Sequence, residues 1–304
     1  MNLNILDLFS ALPGAVAQGL IWGIMAIGVF ITFKVLDVAD LTVDGSITTG
    51  GATCIMMMLA GHSVWAAMLA ALIAGMLAGL VTGFLHTFMG IPALLAGILT
   101  QLSLYSINLR IMQKSNQAIS VDKYDLLVSL RYITNAILVV AVFAVVIIAI
   151  LYWFFGTELG SVIRATGANP AMCRAQGINI NVTKILGLML SNGLVALSGA
   201  LLSQYNGFAD VKMGIGSIVI GLAAVIIGDV VFGRLFRNFA LRLVSVVIGA
   251  IIYYIVLQVV LWFGLNADYL KLLSAVIVAI FLAIPHWKGK YFGKRIKKEG
   301  KPNA

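Results

Sequence analysis

Charged residues are scarce in this chain of 304 residues, since only 10% are Asp, Glu, Lys or Arg, whereas soluble domains contain about 25%. Hydrophobic residues make up 62%, and the mean hydropathy is +1.06. A soluble protein of this size needs a polar exterior that this composition cannot supply. Apolar segments of about 20 residues, long enough to cross a bilayer, fill most of the chain. The composition therefore excludes a soluble enzyme and predicts an all-α, polytopic bundle of transmembrane helices.

Residues that carry catalysis or bind metals are also scarce. The chain has two cysteines, too few for a disulfide framework or a thiolate cluster. Its three histidines lack a nearby Cys or paired carboxylate at the spacing of metal ligands. The sequence contains no GxxxxGK[ST] phosphate loop, no HExxH motif and no Ser–His–Asp set on one side of the membrane. We therefore expect no enzymatic activity, no catalytic residue, no metal and no cofactor.

The basic excess, a net charge of +9, has two interpretations. In a soluble protein it would suggest nucleic acid, but in a membrane protein it reflects the Lys and Arg of cytoplasmic loops. We therefore expect no nucleic-acid partner.

Hydropathy predicts about nine spans, within a range of eight to ten, and an odd number places the two termini on opposite sides of the membrane. The predicted spans cover residues 11–33, 44–60, 63–89, 92–112, 133–155, 183–204, 213–231, 243–263 and 268–285.

The distribution of Lys and Arg predicts the orientation of these spans. A cytoplasmic C-terminus places 14 of the 20 basic residues inside and six outside, and the opposite topology inverts that ratio. We therefore expect the N-terminus outside and the C-terminus in the cytoplasm. The predicted organisation is a transmembrane domain over 1–287, with a cytoplasmic loop at 156–182, and a basic tail over 288–304. The tail anchors the topology and can contact anionic membrane lipid.

Two predicted spans begin with Gly-interrupted, polar sequence, one in each half of the chain. Residues 37–53 and 207–221 both contain Ala-Asp followed by Gly-Ser-Ile, five residues after Asp40 and six after Asp210. Paired interruptions of this kind indicate the substrate path of a transporter, because irregular backbone at membrane depth must be satisfied by protein or by a water-filled cavity. The alternative, of equal weight, is that both segments are interfacial entries to ordinary helices.

Polar residues within the spans are mostly neutral, and every charged residue is predicted near a span end. This pattern argues against proton-coupled transport, which uses ionisable residues at membrane depth. Hydrogen bonds between helices are the alternative role for each polar side chain. The residues that we expect to line a translocation path are Asp44, Thr48, Thr49, Gln101, Asn108 and Asn192.

Three glycines at four-residue spacing, Gly75, Gly79 and Gly83, lie within the predicted span 63–89. A stripe of small residues lets another helix approach closely in the bilayer. The stripe can serve either the internal fold or a contact with a second copy of the chain.

The cytoplasmic loop at 156–182 contains a short helix with clear ends. Asn169 followed by Pro170 is typical of a helix start, and Gly177 of a helix end, which predicts a helix over 170–176. A helix this short is not stable alone, so we expect it to dock on a soluble partner. The expected contact residues are Arg164, Asn169, Pro170, Ala171, Arg174, Ala175 and Gly177, with the two alanines forming one small-residue face.

At this loop the sequence resembles a known family. It resembles the cytoplasmic loop of ABC importer permeases for branched-chain amino acids and for sugars, and the resemblance extends to residues 37–53 and loosely to 213–231. The stretch from Asp40 to Gly51 is more closely similar to permeases for tryptophan or tyrosine, whereas the linker 228–242 is more basic than the family's short Gly-rich turn. The matching positions are Thr157, Gly160, Ile163, Ala165, Gly167, Asn169, Ala171, Gly177 and Ile178.

The resemblance implies the permease subunit of an ABC importer in the cell membrane of a prokaryote. It would move a small polar solute inward, most simply an amino acid and in particular an aromatic one. It further implies two copies of a separate ATP-binding subunit and an extracytoplasmic solute-binding protein. In such permeases the short helix of the cytoplasmic loop, called the coupling helix, sits in a cleft of the ATP-binding subunit. Because such permeases work as two membrane halves, we expect a homodimer. The alternative function is a secondary transporter or channel that acts without an ATPase.

Overall fold

The computed structural model describes residues 5–233, 235–236, 238–263 and scattered positions between 269 and 283. These residues are almost entirely helical, and one two-stranded antiparallel sheet accompanies the helices. The helices are α1 (Ile5–Phe30, continued by a π-helical turn, Ile31–Val35), α2 (Val43–Leu59), α3 (Val64–Thr87), α4 (Ala93–Met112), α5 (Ile133–Gly156, after a 3₁₀ turn, Leu130–Tyr132), α6 (Glu158–Ala168), α7 (Pro170–Ala175), α8 (Ile180–Asn206), α9 (Ser217–Phe232) and α10 (Phe239–Trp262). The strands are β1 (Asn116–Ala118) and β2 (Phe208–Asp210).

Helix boundaries follow local capping chemistry. Ser63, Thr157, Asn169 and Asn179 each accept a hydrogen bond from a backbone N–H in the first turn of α3, α6, α7 and α8, which satisfies a donor that has no partner within the helix. Gly207, with a φ of 75°, ends α8 in the left-handed conformation that glycine adopts without strain.

Six helices of the described residues are long and apolar enough to cross a bilayer: Phe9–Val35, Val64–Thr87, Ala93–Met112, Leu130–Gly156, Ile180–Asn206 and Phe239–Trp262. Helices α2 and α9 coincide with two further predicted spans but have only 17 and 16 residues. Most of the predicted span 268–285 and the whole tail 288–304 lie outside the described residues. The count of nine spans therefore stays a prediction.

Helix α8 is the centre of the bundle and packs against α1, α2 and α3. It runs antiparallel to α1, because Ser191 Oγ donates to the carbonyl of Gly28 and Ser198 Oγ to that of Ile21, both at 2.7 Å. Helix α5 has the highest hydropathy of the six spans and is only 28% buried over that apolar window. An apolar helix that is so little covered by protein faces lipid.

The glycine stripe of α3 serves this internal fold. All three glycines face α8, and a Cβ atom on any of them would collide with it: at Asn192 for Gly75, at Leu188 for Gly79 and at Ile185 for Gly83. The two helix backbones therefore approach at a distance that only glycine permits.

The bundle has two ends that we name by what lies there. The α7 end carries α6, α7 and the first turn of α8, and Gly167 of α6 packs against the backbone of Val35 at the end of α1. The sheet end carries β1 and β2, with Asn116 paired to Asp210. Because α8 runs from the α7 end to the sheet end, its midpoint marks the middle of the bundle.

Candidate functional site

Helices α2 and α9 are joined by the hydrogen bonds of one carboxylate, that of Asp44. Asp44, in the first turn of α2, accepts hydrogen bonds from Gly216 N (2.8 Å), Ser217 Oγ (2.8 Å) and Ile218 N (2.9 Å). These donors form the first turn of α9, where backbone N–H groups lack helical partners and a negative charge is stabilising. Asp44 thus caps a helix 173 residues away along the chain.

A second carboxylate, Asp40, is held by a network centred on α8. Its Oδ2 accepts from Asn192 Nδ2 at 2.7 Å and its Oδ1 from Thr42 N at 2.9 Å, while Asn192 Oδ1 accepts from Ser46 Oγ at 2.6 Å. Asn192 lies near the midpoint of α8, so Asp40 is at mid-depth. Asp44 lies in the first turn of α2, at the start of a predicted span as expected. Asp40 precedes α2 and is nevertheless buried, because the segment before α2 carries it to the middle of α8.

The two Gly-Ser-Ile sequences therefore have defined structural uses. Ser46 of the first bonds to the Asn192 network, and residues 216–218 of the second surround the Asp44 carboxylate. Gly214 packs so closely on the backbone of Asp44 that a Cβ atom would collide with it. The segments 37–53 and 207–221 thus touch at the starts of α2 and α9.

A cavity of about 160 Å³ lies beside this junction. Four of the six predicted path residues line it: Asp44, Thr48, Gln101 and Asn108. The other two do not: Thr49 Oγ1 donates within α2 to the carbonyl of Gly45 at 2.9 Å, and Asn192 belongs to the Asp40 network. The remaining lining residues are Gly45, Leu102, Tyr105, Val211 and Ile215.

Sequence reasoning missed several of those residues. Tyr105 was recoverable, because it lies one helical turn from both Gln101 and Asn108. Val211 and Ile215 carry no polar or charged group, and they reach the cavity only through the fold of the segment before α9. No sequence signal identifies them.

Asn108 is a buried polar residue of the cavity wall. Its side chain is 1% exposed, and neither Oδ1 nor Nδ2 has a hydrogen-bond partner among the residues that the structure describes. A buried polar group without a partner costs about 1–3 kcal/mol, and such groups are rare enough to need an explanation. An amide at the wall of a cavity can offer both a donor and an acceptor to a polar solute.

The short helix predicted over 170–176 is present as α7, Pro170–Ala175. Asn169 Oδ1 accepts from Met172 N at 3.0 Å, and Pro170 occupies the first helical position. Gly177 follows with a φ of 78°, a left-handed conformation that terminates the helix.

Comparison with known proteins identifies the family. The family described as "Branched-chain amino acid transport system / permease component" matches residues 12–284. The chain belongs to this family. It is therefore a multi-pass membrane permease component of an ABC transport system, and the predicted family and fold class are confirmed.

Individual relatives agree with this identification. A tyrosine transport system permease protein of Clostridioides difficile (strain R20291) is 40% identical over 278 residues, which cover 90% of this chain and 91% of that protein. The ribose import permease protein RbsC of Escherichia coli (strain K12) is 28% identical over 147 residues, covering 48% of this chain and 44% of that protein. The solved structure of PsaBC from Streptococcus pneumoniae in complex with Fab shares the fold, with a TM-score of 0.55 and 16% identity over 94% of this chain and 100% of that chain.

In this permease, one side of α7 is buried against the bundle and the other side is exposed. Cys173 is fully buried, whereas Ala171, Arg174 and Ala175 are exposed at the α7 end. Arg164 is also exposed. It belongs to α6, and its guanidinium carbon lies 5.9 Å from the centroid of the Phe239 ring of α10.

Proposed function

We propose that this permease is one membrane half of an ABC importer that moves an amino acid inward, with tyrosine or a similar aromatic amino acid as the solute. The observation that carries the proposal is the cavity wall formed by Asn108, because it offers unpaired hydrogen-bonding groups at the place where two interrupted helices meet. The tyrosine permease relative supports the solute class. ATP hydrolysis belongs to a partner, since the chain has no phosphate loop.

The cavity lies on a side of α4 where the described residues leave side chains exposed. Of the residues that line it, Leu102 is 64% exposed and Tyr105 43% exposed. A helix that combines a polar cavity wall with exposed side chains fits a contact between two copies. We therefore propose a two-fold homodimer with the translocation path along the contact.

The remaining partners follow from the two ends of the bundle. The exposed face of α7 would dock on an ATP-binding subunit, one per permease copy, and the sheet end would receive the solute-binding protein. The excess of Lys and Arg assigned to the α7 end supports placing it in the cytoplasm, with the N-terminus outside and the C-terminus inside, in the inner membrane of a prokaryote.

One observation favours the alternative of a secondary transporter, namely the carboxylate of Asp40 at mid-depth. Both of its oxygens, however, accept hydrogen bonds from the chain, and the residue does not line the cavity. These contacts favour a structural role for Asp40, so we propose the ATP-driven mechanism.

The experiment that tests the path is Asn108→Leu. We expect transport by the reconstituted permease to fall at least about ten-fold, equivalent to ~1.4 kcal/mol, because the solute loses its donor and acceptor. We expect thermal stability to be unchanged or higher, because an apolar side chain replaces an unpaired buried amide. The measurements are solute uptake and the unfolding midpoint.

Ser103→Ala is the matched control on the same helix. The exposed Ser103 hydroxyl donates to the carbonyl of Leu99 at 2.9 Å, within its own helix, and does not line the cavity, so this variant should transport normally. Unchanged uptake by Asn108→Leu, or a clear drop in its unfolding midpoint, would assign Asn108 to the fold and contradict its role in the path.

A further inference from the structure

A groove of about 560 Å³ lies at the α7 end, between the last turn of α5 and the start of α10. We propose that this groove binds the headgroup of an anionic phospholipid, with Arg164 as the residue that contacts the phosphate. The lining residues on which the proposal rests are Tyr152, Trp153, Thr157, Arg164, Asn238 and Phe239.

The aromatic residues of α5 place the groove at the membrane surface. Trp153 is 72% exposed and Tyr152 is 50% exposed, at the end of a helix that faces lipid along its length. Exposed Trp and Tyr are enriched where the bilayer meets water. Ile150 and Val146 continue the exposed surface of α5 toward the bilayer interior. A lipid whose headgroup fills the groove would therefore lay its acyl chains on an apolar helix surface.

Arg164 carries a positive charge that the groove does not neutralise. No carboxylate lies within ion-pair distance of Arg164 among the described residues, and the groove lining contains no Asp or Glu. The acidic Glu158 begins the same helix but does not line the groove. The guanidinium carbon lies 5.9 Å from the Phe239 ring centroid, and one nitrogen lies 3.4 Å from Ser161 Oγ. Within the described part of the chain, the other guanidinium N–H groups have no acceptor and can bind a phosphate, which arginine contacts with two parallel bonds.

A neighbouring cleft of about 870 Å³ shares Arg164 and does not cancel this charge. Lys34 in that cleft is bound to Asp229 at 2.9 Å, and the other two charged lining residues, Arg242 and Asp37, have opposite signs. The charged residues that line the two clefts therefore leave one net positive charge, and Arg164 is the one cation that lines both. Basic pockets between transmembrane helices on the cytoplasmic side are a recurrent form of anionic lipid site.

The lipid site gives Arg164 a different role from the one expected from the sequence. The sequence placed it with Arg174 in the contact with an ATPase, whereas here Arg164 serves the lipid and Arg174, exposed on α7, remains with the partner surface. The lipid site does not depend on the solute or the ATPase, so its failure and that of the proposed function are distinguishable.

The test is binding of phosphatidylglycerol to the full-length purified permease, measured by native mass spectrometry against phosphatidylcholine. We expect wild-type protein to retain phosphatidylglycerol with at least a five-fold preference, Arg164→Gln to lose that preference, and Arg174→Gln to keep it. Arg164→Lys, which keeps the charge but not the two parallel bonds, should bind with intermediate strength and serves if the glutamine variant does not fold.

Three outcomes would overturn the proposal. One is equal binding by wild-type and Arg164→Gln permease, and another is an equal loss in Arg174→Gln, which would indicate a non-specific charge effect. The third is displacement of phosphatidylglycerol by an equal concentration of inorganic phosphate, which would identify a site for a free anion instead of a lipid.

Discussion

Replacing Ala175 with Trp is expected to abolish transport and the stimulation of the partner's ATPase by solute, while the permease still inserts and folds. Ala175 is exposed on α7 at the end of the bundle, so the new side chain has room in the isolated chain. At a fitted contact with an ATP-binding subunit it would wedge the surfaces apart, and overpacking costs about 1–3 kcal/mol. The measurements are membrane insertion, the unfolding midpoint, solute uptake and ATP hydrolysis by the assembled complex.

Ala175→Ser is the matched control, because it keeps a small side chain at the same position and should support normal transport. Arg174→Gln should cause a milder, salt-dependent loss, since it removes only an exposed charge. Normal uptake by the Trp variant would mean that α7 is not the coupling element.

Replacing Gly79 with Leu is expected to prevent folding of the permease. A Cβ atom at this position would collide with the backbone of Leu188, which cannot move without displacing α8 from its contacts with α1 and α2. Close backbone approach between membrane helices depends on small residues. We expect a large drop in recovery of folded protein from detergent, measured by size-exclusion chromatography and thermal unfolding.

Gly156→Ala is the control for this change, because a Cβ atom there would have nothing within 4 Å. It should leave folding and transport near wild type. The result that would contradict our account is a Gly79→Leu protein that folds as a stable monomer and loses only its dimer, because that would place the glycine stripe at a seam between copies.

Features with a local cause could be predicted from sequence. The ends of α7 depend on Asn169, Pro170 and Gly177, which act within one or two turns. The long apolar spans follow from composition alone. Gln101 and Asn108 could be selected because they are polar residues within one apolar helix. The structure brings both of them to one cavity.

Features that depend on contacts between distant segments could not be predicted. Nothing in the residues near Asp44 indicates that its carboxylate caps α9. The glycine spacing predicted a close helix contact but not its partner, α8. Arg164 was grouped with α7 because it is close in sequence, whereas its ring contact is with Phe239, far along the chain. A sequence pattern shows which residues share one face of a helix. The packing partner of that face depends on the fold.

The most direct test of the central claim is solute uptake into proteoliposomes that contain the permease, with and without its ATP-binding partner. A panel of amino acids that includes tyrosine would be offered through the solute-binding protein, with ATP supplied on the α7 side. The account predicts uptake only when both the partner and ATP are present, and none from a proton or sodium gradient alone. Gradient-driven uptake by the permease without the partner would contradict it and establish a secondary transporter.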